Sequence, residues 1–302
     1  MFEKRKSNFL SLMFLTAVLS ASLVAPATLL AEPEKAKEHF NAGLSAEKAG
    51  NEAGAITSYE AAIGEDAGFV DAYINLGAIY FRQKQFDKAL QNFKTATEKD
   101  KKNADAFANL GRVQYALKKY AEAEIALKEA IALKGGDAEY YKDLGKVYYR
   151  KQNNEELIAA LSKCHQLGGG DNLTYYMLGK AYEDTGNMDQ AINALKKSAE
   201  LDPKYDNAHS AIGAIYLSQE KYNSAAGAFK SALNVDPNNY RAAFNYAVAV
   251  ESGNPENFDA NIANWENFIR IGSKNPKAKN DVAVAKEHVK ELKAAKEKAN
   301  LQ

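Results

Sequence analysis

A short phrase returns along the chain at a constant interval of 34 residues. It reads NLGAIY from Asn75, NLGRVQY from Asn109, DLGKVYY from Asp143 and MLGKAY from Met177. The glycines in this register are Gly43, Gly77, Gly111, Gly145, Gly179 and Gly213. A fixed period of roughly 20–50 residues is typical of architectures in which small units stack side by side. The period therefore predicts an array of similar units.

The repeated positions fall into two sets at helical spacing. With Val70 as position 1, positions 4, 7, 8 and 11 share one face of a helix, and positions 20, 24 and 27 share one face of a second helix. Position 8 is glycine and positions 20 and 27 are small, while positions 4, 7, 11 and 24 carry large residues such as Tyr80 and Phe93. The pattern predicts a helical hairpin in which the small residues face each other and the large residues fill the surrounding space.

Seven units cover residues 36–273. Glycine and proline separate the helices, as in Gly186-Asn187 within a unit and Asp202-Pro203 between units. Because one hairpin cannot bury its apolar faces alone, the units must stack. The predicted units are 36–69, 70–103, 104–137, 138–171, 172–205, 206–239 and 240–275, the last with about two extra residues around 251–257.

The pattern resembles the tetratricopeptide repeat. The resemblance rests on glycine at position 8, alanine at 20 and 27, aromatic residues at 4, 11 and 24, and Pro203 and Pro237 at position 32. It implies an all-α solenoid, a right-handed superhelix of helix-turn-helix units with a concave groove lined by the first helix of each unit. Unit 1 departs from the pattern with Ala42 and Ala46 at large positions, and unit 7 has Ala247 in place of glycine, as expected of terminal units.

Residues 276–302 are predicted to form one amphipathic helix that caps the last unit. Asn275-Pro276 marks its start. Its apolar stripe consists of Val282, Ala285, Val289 and Leu292, and the rest of its surface is rich in lysine and glutamate. A helix that docks on a partner is the alternative interpretation.

The first residues differ in composition from the rest of the chain. A basic start around Lys4 precedes an apolar run from Phe9 to Val24 and the small-residue pattern Ala25-Pro26-Ala27. This order predicts a signal peptide at 1–27 followed by a short lead-in at 28–35. Cleavage after Ala31 and an uncleaved membrane anchor, the one membrane contact considered, are the alternatives. We therefore expect an exported protein of the bacterial periplasm or cell envelope.

The charge balance disfavours nucleic-acid binding. The chain has 39 basic and 39 acidic residues, and removal of residues 1–27 takes away three basic and one acidic residue, which leaves 36 and 38. A net charge of −2 lacks the concentrated basic surface that a nucleic acid requires. The single cysteine, Cys164, excludes an internal disulfide, so packing alone must stabilise the fold.

The sequence indicates no catalytic centre. Cys164 and His165 are adjacent, but neighbouring residues on a helix point about 100° apart, and Cys164 occupies the small position 27. The glycines at 168–170 lack the Lys-Ser/Thr of a phosphate loop and occupy a turn between units. We expect neither enzymatic activity nor a cofactor nor a metal.

Positions 2, 5, 6, 9, 12 and 13 of each first helix lie roughly opposite the packing face. The resemblance to the tetratricopeptide repeat implies that this set faces the concave groove. Amides at position 6 can pair with any peptide backbone, although a tolerated polar residue is an equal alternative. The position-12 rings form an exposed aromatic track, and the cations make the middle of the groove basic. Asp71, Asp105, Glu139 and Asp143 partly neutralise it. The candidates are Asn75, Phe81, Arg82, Asn109, Arg112, Tyr115, Lys142, Lys146, Tyr149, Arg150, Tyr176 and Lys180.

These residues favour a non-catalytic scaffold that binds a protein or an extended peptide in the groove. An anionic or C-terminal carboxylate ligand is one hypothesis, and solvated charge is its alternative. The carboxylate clamp by which some relatives hold chaperone tails is rejected, because units 2–4 place Ile74, Ala78 and Glu139 at positions that it needs as lysine or asparagine. The alternative function is a structural assembly factor of an envelope or secretion complex, which acts through the convex face or the C-terminal helix.

Overall fold

The structure, a computed structural model, describes residues 32–301. Within this range the chain forms fifteen α-helices and one short 3-10 helix, with no residue in a strand, which confirms the predicted all-α class. The predicted signal peptide lies outside the described residues. The helices are α1 Glu32–Lys48, α2 Glu52–Glu65, α3 Val70–Arg82, α4 Phe86–Lys99, α5 Ala104–Ala116, α6 Tyr120–Leu133, α7 Ala138–Lys151, α8 Asn154–Gln166, α9 Asn172–Asp184, α10 Met188–Leu201, α11 Asp206–Ser218, α12 Tyr222–Val235, α13 Tyr240–Gly253, α14 Phe258–Gly272, the 3-10 helix Pro276–Ala278 and α15 Lys279–Ala299.

The chain divides into two compact units between Ala72 and Tyr73, inside α3. In the first unit α1 and α2 form a helical hairpin. The buried Tyr59 ring of α2 lies against Gly43 of α1, and its hydroxyl donates a hydrogen bond to Glu47 at 2.6 Å. No helix among the described residues of either unit is long and apolar enough to cross a membrane.

The second unit is a stack of helical hairpins. From α4 to α15 each helix packs against the next along the chain. The first helices of successive repeats also contact one another, α5 with α7, α7 with α9, α9 with α11 and α11 with α13. We call the surface formed by this row, together with the end of α3 from Tyr73, the first-helix face. The solenoid architecture that the repeat predicts is confirmed within this unit.

Each position-8 glycine lies against a large side chain of the second helix, and two of them also lie close to the backbone of the small residue at position 20. A Cβ at Gly111 would lie 2.6 Å from Leu127 Cγ, and a Cβ at Gly213 would lie 2.8 Å from the Phe229 ring. The close approach to the small residue at position 20 agrees with the prediction, since the Ala123 carbonyl oxygen would lie 3.2 Å from a Cβ at Gly111, but the large residue at position 24 was not predicted as the nearest neighbour. The side chain at position 24 covers each glycine. Because the residue at position 20 is small, the backbones of the two helices can lie close together, and one side chain fills the space between them.

A left-handed residue ends the first helix of each regular repeat. The residues in this conformation are Gly50, Lys84, Lys118, Gln152, Gly186 and Glu220, all at position 15. The next amide then turns back to the helix, as when Lys119 N donates to Gln114 O at 2.8 Å. The sequence marks this turn by glycine in two repeats, and elsewhere side chains occupy a region that is unfavourable for them.

The C-terminal helix caps the last repeat, as predicted. The stripe of Val282, Ala285, Val289 and Leu292 is buried against α13 and α14. Polar contacts add to this packing, because Glu251 of α13 accepts a hydrogen bond from Trp265 Nε1 at 2.6 Å and contacts His288 Nε2 at 2.9 Å. The apolar stripe of α15 is therefore covered by residues of the same chain. In this repeat the second helix begins at Phe258, two residues later in register than the other second helices.

Glu124 joins the third repeat to the fourth. Its carboxylate accepts hydrogen bonds from Lys128 of its own helix at 2.6 Å and from Lys151 of α7 at 2.5 Å. Tyr148 of α7 donates a third at 3.3 Å. The hydrogen bonds from Lys128 and Lys151 lower the pKa of Glu124 to about 2, although desolvation opposes them.

The glycine contact predicts a large difference between two Gly→Ala substitutions. A Cβ at Gly179 would lie 2.6 Å from Leu195 Cγ and 3.2 Å from the Ala191 carbonyl oxygen. We expect Gly179→Ala to lower the free energy of unfolding by about 1–3 kcal/mol through overpacking. Gly227 is also helical but has no atom within 4 Å of a Cβ, so Gly227→Ala should stabilise by about 0.4–1 kcal/mol. Urea denaturation measures both, and equal effects would contradict the account.

The Glu124 contacts predict a specific dependence of stability on pH. Because the folded-state pKa lies below the ordinary value of 4.5, the stabilisation is complete above about pH 5 and is lost as the pH falls towards 2. Glu124→Gln should be less stable than the natural protein by about 1 kcal/mol at pH 7. Thermal denaturation should be recorded at several pH values between about 2 and 7. The stabilities of the two proteins should converge as the pH approaches 2. Glu98→Gln, in an exposed pair with Lys94 at 3.9 Å, is the control expected to change little.

Candidate functional site

An open pocket of about 440 Å³ lies on the first-helix face where α3, α5 and α7 meet. It brings together five residues that the repeat register selects as groove candidates, from three successive repeats. These are Phe81, Arg112, Tyr115, Lys142 and Lys146. The remaining lining residues are Gly111, Ala116, Leu127, Glu139 and Asp143. The volume lies within the usual range of pockets that hold a ligand.

The aromatic rings of the pocket are partly covered by their own repeats. The Phe81 ring lies 5.5 Å from that of Phe86, and the Tyr115 ring lies 5.6 Å from that of Tyr120. Both pocket rings are half-buried, so they are less exposed than the predicted aromatic track. The fourth repeat has Asn154 in place of the covering ring, and accordingly Tyr149 is 38% exposed.

The cations of the pocket are held by a buried carboxylate. Asp143 Oδ2 accepts a hydrogen bond from Arg112 Nε at 2.5 Å, and its Oδ1 accepts one from Lys146 Nζ at 2.9 Å. Asn109 Oδ1 accepts a third bond, from Arg112 Nη1 at 3.0 Å. Because both Asp143 oxygens are engaged, the charge of this buried residue is compensated. The arrangement fixes two flexible cationic side chains in one geometry.

Two further contacts extend the polar rim. Lys142 Nζ donates to Glu139 Oε1 at 2.6 Å and lies 3.8 Å from an Asp171 oxygen. Arg150 Nε donates to the Tyr115 hydroxyl at 3.2 Å, which ties α7 to α5. The lining thus contains three cations and two carboxylates, which agrees with the expectation of a partly neutralised basic patch.

The other candidates lie on the first helices outside the pocket lining. Asn75 is half-buried and Arg82 is exposed, both on α3. Lys180 pairs with Glu183 of its own helix. Tyr176 packs edge-on against Tyr205 with ring centroids 5.2 Å apart, and burial raises its pKa to about 12. These residues remain predictions as binding residues.

The apolar floor of the pocket was not predicted from the sequence. By register Leu127 is a position-24 core residue and Gly111 a position-8 close-packing residue, yet both also line the pocket. Ala116 at position 13 carries no chemical signal at all. The one available sign is that a small residue stands at position 13 of the third repeat, where the neighbouring repeats have Arg82 and Arg150.

Cys164 and His165, the adjacent pair noted in the sequence, are packed within the repeat. Cys164 is fully buried, its Sγ donates to the Gly169 carbonyl oxygen at 3.2 Å, and burial raises the pKa of its thiol. His165 stacks on Tyr175 with ring centroids 3.9 Å apart and lies 3.1 Å from the Thr174 hydroxyl. A raised thiol pKa opposes formation of the reactive thiolate. Among residues 32–301 no group of three or more His, Cys, Asp or Glu side chains could hold a metal ion.

Several solved structures resemble this fold. YrrB, described as a TPR protein with an unusual peptide-binding site, superposes with a TM-score of 0.57 at 22% identity, over 61% of this chain and 95% of that chain. The MamA protein has a TM-score of 0.52 at 28% identity, over 57% and 93% of the two chains. PilF of Pseudomonas aeruginosa has a TM-score of 0.57 at 19% identity, over 76% and 99%. A comparison with curated proteins gives no match.

The amino-acid sequence also matches the model of a known protein family. The model of the cilia and flagella-associated protein 70 C-terminal domain, a tetratricopeptide domain, matches residues 21–246, which is more than half of the chain. That match agrees with the helical hairpins at a 34-residue period and with the regular spacing of the glycines. It also agrees with the similarity to solved tetratricopeptide structures. The chain belongs to this family of tetratricopeptide repeat proteins.

Proposed function

We propose that the chain is a non-catalytic scaffold that binds an extended segment of a protein partner on the first-helix face. The observation that supports this most directly is the pocket, in which side chains of three successive repeats converge on one open space. A segment that crosses the repeats would contact each of them in turn. The stacked helices present this surface before the partner arrives, which lowers the ordering cost of binding.

The chemistry of the pocket suits recognition rather than reaction. Half-buried rings and Leu127 provide apolar contact, and the cations around Asp143 provide fixed hydrogen-bond donors. The pocket contains no cysteine, serine, threonine or histidine that could serve as a nucleophile or a neutral base. The description of YrrB indicates that this fold can carry a peptide-binding site, although that site belongs to YrrB.

We further propose that this binding takes place outside the bacterial inner membrane. The support is the order of the first residues, with a basic start, an apolar run and the Ala25-Pro26-Ala27 pattern. A near-neutral charge after removal of residues 1–27 favours a protein partner over a nucleic acid. Expression of the full sequence, followed by detection of the protein in the envelope fraction with an N-terminus at residue 28 or 32, would test this location; recovery in the cytosolic fraction with residues 1–27 still present would contradict it.

Site-specific crosslinking tests the binding face. Replacement of Tyr149, the exposed ring on the first-helix face, by a photo-crosslinking phenylalanine in the full chain should yield a discrete protein adduct in cells of the source organism. The same substitution at Asn193, exposed on the second helix α10, is the matched control and should yield none. An adduct from Asn193 alone would place the partner on the opposite face and contradict the proposal.

Filling the pocket should prevent the adduct. Ala116→Phe places a ring in the open volume at the last turn of α5 without removing a core side chain. We expect loss of the Tyr149 adduct with helicity unchanged by circular dichroism. Ala121→Phe, at an exposed position on α6, is the control that should retain the adduct. An unchanged adduct in Ala116→Phe would separate partner binding from the pocket.

A further inference from the structure

The pocket has an apolar floor of a size that suits one bulky side chain. Phe81, Tyr115 and Leu127 supply its large apolar surfaces, while Gly111 and Ala116 leave the space between them open. An apolar group that packs against these surfaces removes apolar area from water, which lowers the free energy of the complex. The floor therefore favours a ligand with a large aliphatic or aromatic side chain.

At the Arg112–Lys146 edge of the pocket, the two cations are more exposed than the carboxylate between them. The Arg112 and Lys146 side chains are 34% and 32% exposed, whereas the Asp143 side chain between them is 11% exposed. Both Asp143 oxygens accept hydrogen bonds from these two groups. A ligand above this edge thus meets N–H donors, while the compensating carboxylate lies beneath them.

The charge of the rim changes from negative to positive along α7. Glu139, near the start of the helix, is 53% exposed and takes up the ammonium group of Lys142. Lys146 and Arg150 lie about two and three turns beyond Glu139 along the same helical face. Arg150 is exposed and its guanidinium is held against the Tyr115 hydroxyl. Negative charge on a ligand is therefore favoured at the Lys146 end and disfavoured at the Glu139 end.

We propose that the pocket selects an internal segment of the partner in which a bulky apolar residue is flanked on one side by acidic residues. The apolar side chain occupies the floor, and the carboxylates contact Arg112, Lys146 and Arg150. Asp143 is a positioning residue that holds two of these cations. This inference rests on the proposed function, since it names the class of segment that the same face would bind.

Short peptides in a Gly-Ser host test the inference. The probes are acetylated and amidated peptides with the centres Phe-Asp-Asp, Phe-Asn-Asn, Phe-Lys-Lys and Ala-Asp-Asp, titrated into the full chain by fluorescence anisotropy. Blocking both termini removes terminal charges. We expect Phe-Asp-Asp to bind about tenfold more tightly than Phe-Asn-Asn or Ala-Asp-Asp, and Phe-Lys-Lys to bind most weakly. The preference over Phe-Asn-Asn should shrink as salt rises.

Two variants assign the preference to the pocket. Lys146→Gln leaves Arg112 on Asp143 and should weaken Phe-Asp-Asp about fivefold while it changes Phe-Asn-Asn by less than about twofold. Lys196→Gln, at an exposed position on α10, is the matched control and should change neither. Ala116→Phe should weaken every peptide that contains phenylalanine.

The outcomes separate the inference from the proposed function. Equal affinity for the acidic and basic peptides, still blocked by Ala116→Phe, would overturn the selectivity and leave the binding face in place. Tight binding by Phe-Asn-Asn with a free terminal carboxyl, but not by amidated Phe-Asp-Asp, would overturn the internal segment in favour of a C-terminus. Failure of every peptide while Tyr149 still forms its adduct would also overturn the inference. Failure of the adduct as well would reject the proposed function.

Discussion

The contact between a glycine on the first helix of a repeat and a large side chain on the second is the constraint on which the rest of the array depends. It sets how closely the two helices approach, and it recurs from Gly43 with Tyr59 to Gly213 with Phe229. Since packed interiors have few voids, a methyl group at these glycines would force the pair apart. Leu127 shows how this core contact reaches the surface, because the side chain that covers Gly111 also forms part of the pocket floor.

The pocket arises where repeats with a common core differ on the surface. At position 6 the fourth repeat has Asp143, where its neighbours have Asn109 and Met177. At position 9 the third and fourth repeats have Arg112 and Lys146. Burial of one carboxylate would be costly by itself, but the two cations compensate it and are in turn held in place. A regular scaffold thus carries an individual site without any change in the helix pairing.

The sequence predicted the fold more completely than the site. The 34-residue register identified the helix pairs, the all-α stack and the capping stripe of α15, because each depends on periodicity within one helix. It also selected five residues that line the pocket. It did not predict that Phe81 and Tyr115 are covered by Phe86 and Tyr120, since those contacts join residues across a turn. It also did not predict that the large residue at position 24 covers the position-8 glycines.

By itself the sequence determined which side of each helix a residue occupies, since 3.6 residues per turn fix that direction from numbering alone. The repeat, the two-helix unit and the grouping of Arg112, Lys146 and Tyr115 on one kind of face follow from it. Only the tertiary structure decided which of these groups meet, that Asp143 is buried between two cations, and that Ala116 and Leu127 complete a pocket. Distances between neighbouring repeats depend on how side chains of different sizes fill the space between helices, and the register contains no information about that.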